Sequence, residues 1–118
     1  VDVISMISPT SEERIARIAK EATGFIYVVS SMGVTGVRSE IHTDLAKIIE
    51  KIRSVTDVPC AIGFGISTPE QAEKMAALAD GAIVGSAIVK IVAEYKEEAA
   101  QPLYDYVASM KQAVLAAR

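Results

Sequence analysis

Short apolar stretches alternate with longer amphipathic stretches along this sequence. Each short stretch is rich in Val and Ile and is bounded by Gly, Pro or Ser, which is typical of β-strands. The four predicted strands are Asp2–Ile7, Phe25–Ser30, Pro59–Phe64 and Gly81–Val84. Their hydrophobicity is nearly continuous, as in the strands of a parallel sheet that is covered on both faces.

The segments between the strands have the periodicity of amphipathic helices. In the first segment Thr10 and Glu13 have the spacing of a capping box, and the apolar residues that follow lie on one stripe. In the second segment Thr43 is the expected N-cap, because the apolar stripe begins directly after it, at Leu45. We therefore predict a helix after each of the first two strands.

The last two helical segments begin and end differently. Thr68 as N-cap, Pro69 at the first helical position and Gln71 at the third form a strong start signal for the third helix. After the fourth strand the helical pattern runs from Ala87 to Tyr95, pauses at Pro102 and resumes to the end. Two helices are therefore predicted after the fourth strand.

This order of elements predicts an α/β fold of four consecutive βα units with parallel strands and right-handed crossovers. Four such units form either a small open sheet or half of a (βα)8 TIM barrel. In a half barrel both edge strands need partners, either from another part of the protein or from a second copy. The sequence begins at Val1, without an initiator Met, and enters an apolar segment at once. We interpret residues 1–118 as a fragment that makes up one half of a barrel domain.

Charge and composition narrow the function classes. The chain has 12 Lys and Arg against 15 Asp and Glu, a formal net charge of −3, and no long basic run, which argues against nucleic acid as a partner. Every apolar run is shorter than the roughly 18 to 20 residues that span a bilayer. The single cysteine, Cys60, cannot form an internal disulfide. A cytoplasmic protein is the expectation.

Ligands of parallel α/β folds bind at the carboxyl ends of the strands. The sequence places Gly65 after the third strand, and Gly85 with Ser86 after the fourth, where a helix follows directly. Glycines allow backbone amides to approach a ligand, and the start of a helix favours an anion. These residues predict a phosphate site, although a glycine pair around Phe64 is also what any tight turn would use.

The connection after the second strand is unusually long, because it runs from Ser30 to His42. Long loops at this end of a barrel often act as lids, and Thr35 and Gly36 lie within this one. The alternative is a surface excursion without function. His42 has no second His, Cys or Asp at ligand spacing, so the sequence gives no metal site and implies no cofactor.

Two aromatic residues lie within or at the end of predicted strands. Tyr27 is in the middle of the second strand, and we expect its ring to point into a barrel rather than against a helix. Phe64 follows the third strand between two glycines and forms either an aromatic wall for a flat apolar ligand or a part of the core.

Three segments in order resemble the tryptophan synthase alpha chain family: GFIYVVSSMGVTGVRSEI from Gly24, AIGFGIS from Ala61 and GAIVGSAIVKIV from Gly81. The resemblance covers essentially all of the chain and corresponds to βα units five to eight of that barrel. It implies a lyase of tryptophan biosynthesis that cleaves indole-3-glycerol phosphate to indole and glyceraldehyde 3-phosphate. It also implies an α2β2 assembly in which a beta chain receives the indole.

The resemblance also implies roles for individual residues. Matched by motif, the phosphate-binding residues are Gly36, Gly65, Gly85 and Ser86. Thr35 matches the threonine of the mobile lid, and the residues around the indole ring are Tyr27 and Phe64.

The family's two catalytic carboxylates belong to the first two βα units, which have no counterpart in these residues. The cleavage requires proton transfers to the indole ring and from the glycerol hydroxyl, so we expect this chain alone to bind without turnover. Two alternatives are a stand-alone half barrel that self-associates and binds a phosphorylated metabolite, and a different phosphate-binding barrel enzyme.

Overall fold

The computed structural model describes residues 1–9, 12–30 and 38–118, and for residues 12 and 38–43 it describes the backbone alone. Strands and helices alternate along it. They are β1 (Ser5–Ile7), α1 (Glu12–Glu21), β2 (Ile26–Val29), α2 (Arg38–Arg53), β3 (Cys60–Gly63), α3 (Pro69–Leu78), β4 (Gly81–Ala82), α4 (Ser86–Tyr95), a short 3-10 helix (Lys96–Glu98) and α5 (Ala100–Ala116).

The four strands form one parallel sheet in the order β1-β2-β3-β4. Its register aligns Tyr27 with Met6 on one side and with Ala61 on the other. The predicted fold of four consecutive βα units is therefore confirmed. Each observed strand lies within the predicted one and is shorter, most clearly β1, which begins at Ser5 and not at Asp2.

The core lies between one face of the sheet and the helices. Ile26, Val28 and Ile62 point to this side and are fully buried, together with apolar residues of α1, α2 and α3. The opposite face is open, since Met6 on that face is 61% exposed. In a (βα)8 barrel the face without helices is the interior, so this half barrel leaves one side of its sheet uncovered.

The capping box predicted for the third helix is confirmed. The Gln71 amide donates to Thr68 Oγ1 at 3.3 Å, and the Thr68 amide donates to Gln71 Oε1 at 3.2 Å. Pro69 occupies the first turn, where its missing amide hydrogen removes no helical hydrogen bond. Three side chains within four positions therefore fix the start of α3 directly after the turn that follows β3.

The predicted start of the second helix is wrong. α2 begins at Arg38, so Thr43 lies within the helix and is not its N-cap. The connection after β2 is correspondingly shorter than predicted, because His42 belongs to the helix as well. The capping role predicted for Thr10 lies outside the described residues.

The helical region after β4 divides earlier than its proline suggested. α4 ends at Tyr95 and is followed by Lys96, which has a positive φ of 50°, and α5 already includes Pro102 in its first turn. α5 packs mainly against α3, whereas α4 contains no buried residue. α5 is thus the helix that extends the outer layer, and α4 is an additional helix that precedes it.

Cys60 lies at the opposite end of β3 from the predicted site and is 1% exposed. Its backbone amide donates to Asp80 Oδ2 at 2.9 Å. Burial, reinforced by the negative charge of Asp80 and opposed by Arg53, raises the pKa of the Cys60 thiol above its usual 9.0. The thiol is therefore a structural group of the core.

We expect the Cys60 thiol to react with a thiol-specific reagent at least about tenfold more slowly in the folded chain than in urea, since both burial and a raised pKa suppress the thiolate. Rates measured with and without denaturant test this expectation, and equal rates would contradict it.

The raised pKa of Cys60 also affects stability at high pH. Because the folded-state pKa is raised, this group leaves the free energy of unfolding unchanged below pH 9.0 and lowers it as the pH rises through the folded pKa.

Candidate functional site

The carboxyl ends of β3 and β4 lie side by side at one edge of the sheet. The strands are parallel neighbours, Ile62 is aligned with Ala82, and the Ile83 amide donates to the Ile62 carbonyl at 2.8 Å. Gly65 and Gly85 each follow the aligned pair by three positions. The structure therefore brings the turn after β3 and the start of α4 to the same rim.

The N-terminus of α4 has the features of an anion site. The helix starts at Ser86, its N-cap is Gly85, and no side chain caps it. The Gly85 carbonyl accepts from the amides of Ile88 and Val89 at 3.0 and 3.1 Å, and the amides that precede these lack helical acceptors by geometry. A Cβ added at Gly85 would meet no atom within 4 Å, so the approach to these amides is open. Free amides and the helix dipole together favour a bound anion there.

The turn after β3 has an uncommon backbone. Phe64 and Gly65 have positive φ values of 81° and 78°. Glycine adopts such angles without strain, but a bulky residue such as Phe64 does not. Strained residues persist where the surrounding structure holds them, and they cluster at functional sites.

Ser30 holds this turn from the neighbouring strand. Its amide donates to the Gly63 carbonyl at 3.0 Å, and its hydroxyl lies 2.9 Å from the Gly63 carbonyl and 2.8 Å from that of Phe64. The side chain is completely buried. Sequence reasoning assigned Ser30 no role, although a hydroxyl at the end of an apolar strand would need a partner once buried.

Tyr27 lies on the open face of the sheet. Its hydroxyl and ring occupy the space above Gly63, where a Cβ would lie only 2.8 Å from ring atom Cε1 and still closer to the hydroxyl. The predicted orientation of Tyr27 away from the helices is confirmed, and its contact with a ligand stays a prediction. Phe64 is 57% exposed and is not part of the buried core.

Thr35 and Gly36, the predicted lid and third phosphate-binding glycine, lie outside the described residues. Among the residues that the structure describes, no group of three His, Cys, Asp or Glu side chains could hold a metal ion. The described part of the rim offers backbone amides, hydroxyls and aromatic rings, which can bind and orient an anionic, partly aromatic ligand.

The comparisons with known proteins agree with this architecture. The sequence model of the family described as tryptophan synthase alpha chain matches residues 1–116. The chain is 52% identical over 114 residues to the tryptophan synthase alpha chain of Lacticaseibacillus casei, covering 97% of this chain and 43% of that protein. It is 53% identical over 115 residues to that of Lactiplantibacillus plantarum, with the same two coverages.

A solved structure shows the same arrangement in space. Tryptophan synthase subunit alpha from Campylobacter jejuni superposes with a TM-score of 0.82 at 32% identity, covering 93% of this chain and 44% of that chain. The chain thus spans about 43% of the length of the curated relatives that it matches.

Proposed function

Because the chain belongs to the tryptophan synthase alpha chain family, we propose that it forms the phosphate- and indole-binding half of a lyase that cleaves indole-3-glycerol phosphate. The observation that carries the proposal is the side-by-side position of the Gly65 turn and the N-terminus of α4. A phosphate between them would receive amide hydrogen bonds from both, and a site after the last two strands of a barrel suits this ligand.

The aromatic part of the substrate would lie toward the open face of the sheet. Tyr27 stands on that face above Gly63, and the exposed ring of Phe64 follows directly at the rim. Both rings are therefore available to pack against an indole. The resemblance assigns Gly36 to the phosphate and Thr35 to a lid, and these two assignments are part of the same proposal.

Catalysis requires proton-transfer groups at the carboxyl ends of the strands, and these residues lack them there. The residues directly after the strands supply no carboxylate, Lys or His for the proton transfers of the cleavage. We assign the two catalytic carboxylates to the part of the family's barrel that this chain does not cover. The chain alone would then bind substrate but leave it uncleaved, and no cofactor would be needed.

The open sides of the half barrel define its first partner. β1 and β4 are both edge strands, and the face that carries Met6 is uncovered. The first four βα units of the family would pair with both edges and close this face. The closed barrel would then pass indole to a beta chain in an α2β2 complex in the cytoplasm. Within the described residues no helix is long and apolar enough to cross a membrane.

We expect activity to appear only when the barrel is complete. In a chimera, this chain replaces the matching segment of a curated relative, and indole release from indole-3-glycerol phosphate is measured. The chimera should release indole, whereas the 118-residue chain alone should give the uncatalysed rate. Equal rates for the two proteins, or a folded chimera that binds substrate and releases no indole, would count against the proposal.

A second candidate is a self-associating half barrel that binds a phosphorylated metabolite without catalysis. The two open edges favour it, because a two-fold axis along the barrel would pair β4 of each copy with β1 of the other. Light scattering distinguishes the two: a stable dimer of the chain supports this candidate, and a monomer contradicts it.

A further inference from the structure

A tyrosine outside the sheet contacts the turn that follows β3. Tyr106 lies on α5, and its hydroxyl donates to the Ser67 carbonyl at 2.8 Å. The ring of Tyr106 packs against the edge of the hydrophobic core. This packing holds the hydroxyl in place. Ser67 is the residue immediately before the N-cap of α3 and lies two positions after Gly65.

The rest of the turn is held at three other points. Ser30 binds its start, the buried side chain of Ile66 anchors its middle, and Gln71 Oε1 accepts from the Ser67 amide at 2.9 Å. Gln71 belongs to α3 and moves with it. Tyr106 is therefore the contact that ties the end of the turn to a different helix, α5.

The contact between Tyr106 and Ser67 can affect phosphate binding, because that binding depends on the direction of the backbone amides in the turn. The peptide groups around Gly65 offer hydrogen bonds to a phosphate only if they point toward the N-terminus of α4. Glycine is conformationally permissive, so the orientation of the peptide groups around Gly65 depends on the contacts on both sides of it. Ser30 supplies one side, and the Tyr106 hydroxyl supplies the other.

We propose that Tyr106 is a positioning residue for phosphate binding, which acts by holding the Gly65 turn through the Ser67 carbonyl. The inference rests on the proposed phosphate site. Burial raises the pKa of Tyr106 above its usual 10.0, so the phenol is protonated and remains a hydrogen-bond donor at neutral pH.

The test compares two Tyr→Phe variants of the same helix. Tyr106→Phe removes the hydroxyl and keeps the packed ring, whereas Tyr104→Phe removes a hydroxyl from a side chain that is 70% exposed. Affinity for inorganic phosphate is measured calorimetrically for both variants and the unmodified chain, well below their melting temperatures. We expect Tyr106→Phe to weaken binding about fivefold to tenfold, the effect of one hydrogen bond, and Tyr104→Phe to leave it unchanged.

The outcomes separate this inference from the proposed function. If the unmodified chain binds phosphate and Tyr106→Phe binds it equally well, the positioning role is overturned and the site stands. If the unmodified chain does not bind phosphate, the proposed site fails and the inference fails with it. A loss shared equally by Tyr106→Phe and Tyr104→Phe would also contradict a specific contact.

Discussion

Replacing Gly85 with valine is expected to weaken phosphate binding at least tenfold, or by about 1.4 kcal/mol, while the fold is retained. A Cβ at this position would meet no protein atom within 4 Å, so the valine would project into the space in front of the first amides of α4. Since φ at Gly85 is −117°, the backbone accepts a side chain without strain. Valine is a clearly poorer N-cap than glycine, so the free energy of unfolding should fall by about 1 kcal/mol, which the fold can tolerate.

The matched control is Gly81→Ala, at the start of β4, four positions before Gly85. Its added Cβ would contact Ala61 Cβ at an ordinary 3.8 Å, and it lies away from the proposed site. Titration with inorganic phosphate and urea denaturation should show unchanged binding and stability for this variant. Unchanged phosphate affinity in Gly85→Val would show that the N-terminus of α4 does not bind phosphate.

Replacing Gly63 with alanine is expected to lower the free energy of unfolding by about 1 to 3 kcal/mol. The added methyl group would overlap the Tyr27 phenol, so the ring would have to leave its position above the strand. Because Gly63 has no side chain, it leaves room for the Tyr27 ring, which explains a glycine inside a buried strand. In the active chimera the same change should raise KM for indole-3-glycerol phosphate, because the displaced ring no longer packs at the rim.

A double-mutant cycle isolates this contact from other effects of the added methyl group. In a Tyr27→Ala background the space above Gly63 is empty, so Gly63→Ala should cost less than about 0.5 kcal/mol. Urea denaturation of the four proteins gives the coupling energy directly. An equal cost in both backgrounds would show that Tyr27 does not fill this space.

The order and direction of the elements could be predicted from local sequence. Near-continuous apolar runs indicated parallel strands, and Thr68, Pro69 and Gln71 defined the start of α3 because the capping contacts are local. The start of α2 was missed because Thr43 is a preferred capping residue, whereas the helix extends back to Arg38. The break before α5 occurs at Lys96, a residue type that rarely adopts a positive φ and so gave no signal.

The candidate site could be predicted from the sequence only for residues that directly follow a predicted strand. Gly65, Gly85 and Ser86 follow predicted strands, so the parallel topology alone brings them to one rim. Ser30 and Tyr106 act through contacts that span 33 or more positions in sequence. The helical pattern alone predicts that a tyrosine such as Tyr106 is a core residue. The hydrogen-bond partner of its hydroxyl depends on how α5 packs against the turn after β3. Long-range partners of this kind require the tertiary structure.

The most direct test of the phosphate site is an amide chemical-shift titration of the chain with inorganic phosphate. We expect saturable shifts concentrated at Gly65, Gly85 and Ser86, at the carboxyl ends of β3 and β4. Saturable shifts confined to other parts of the chain, or no saturable shift in the folded protein, would contradict this expectation.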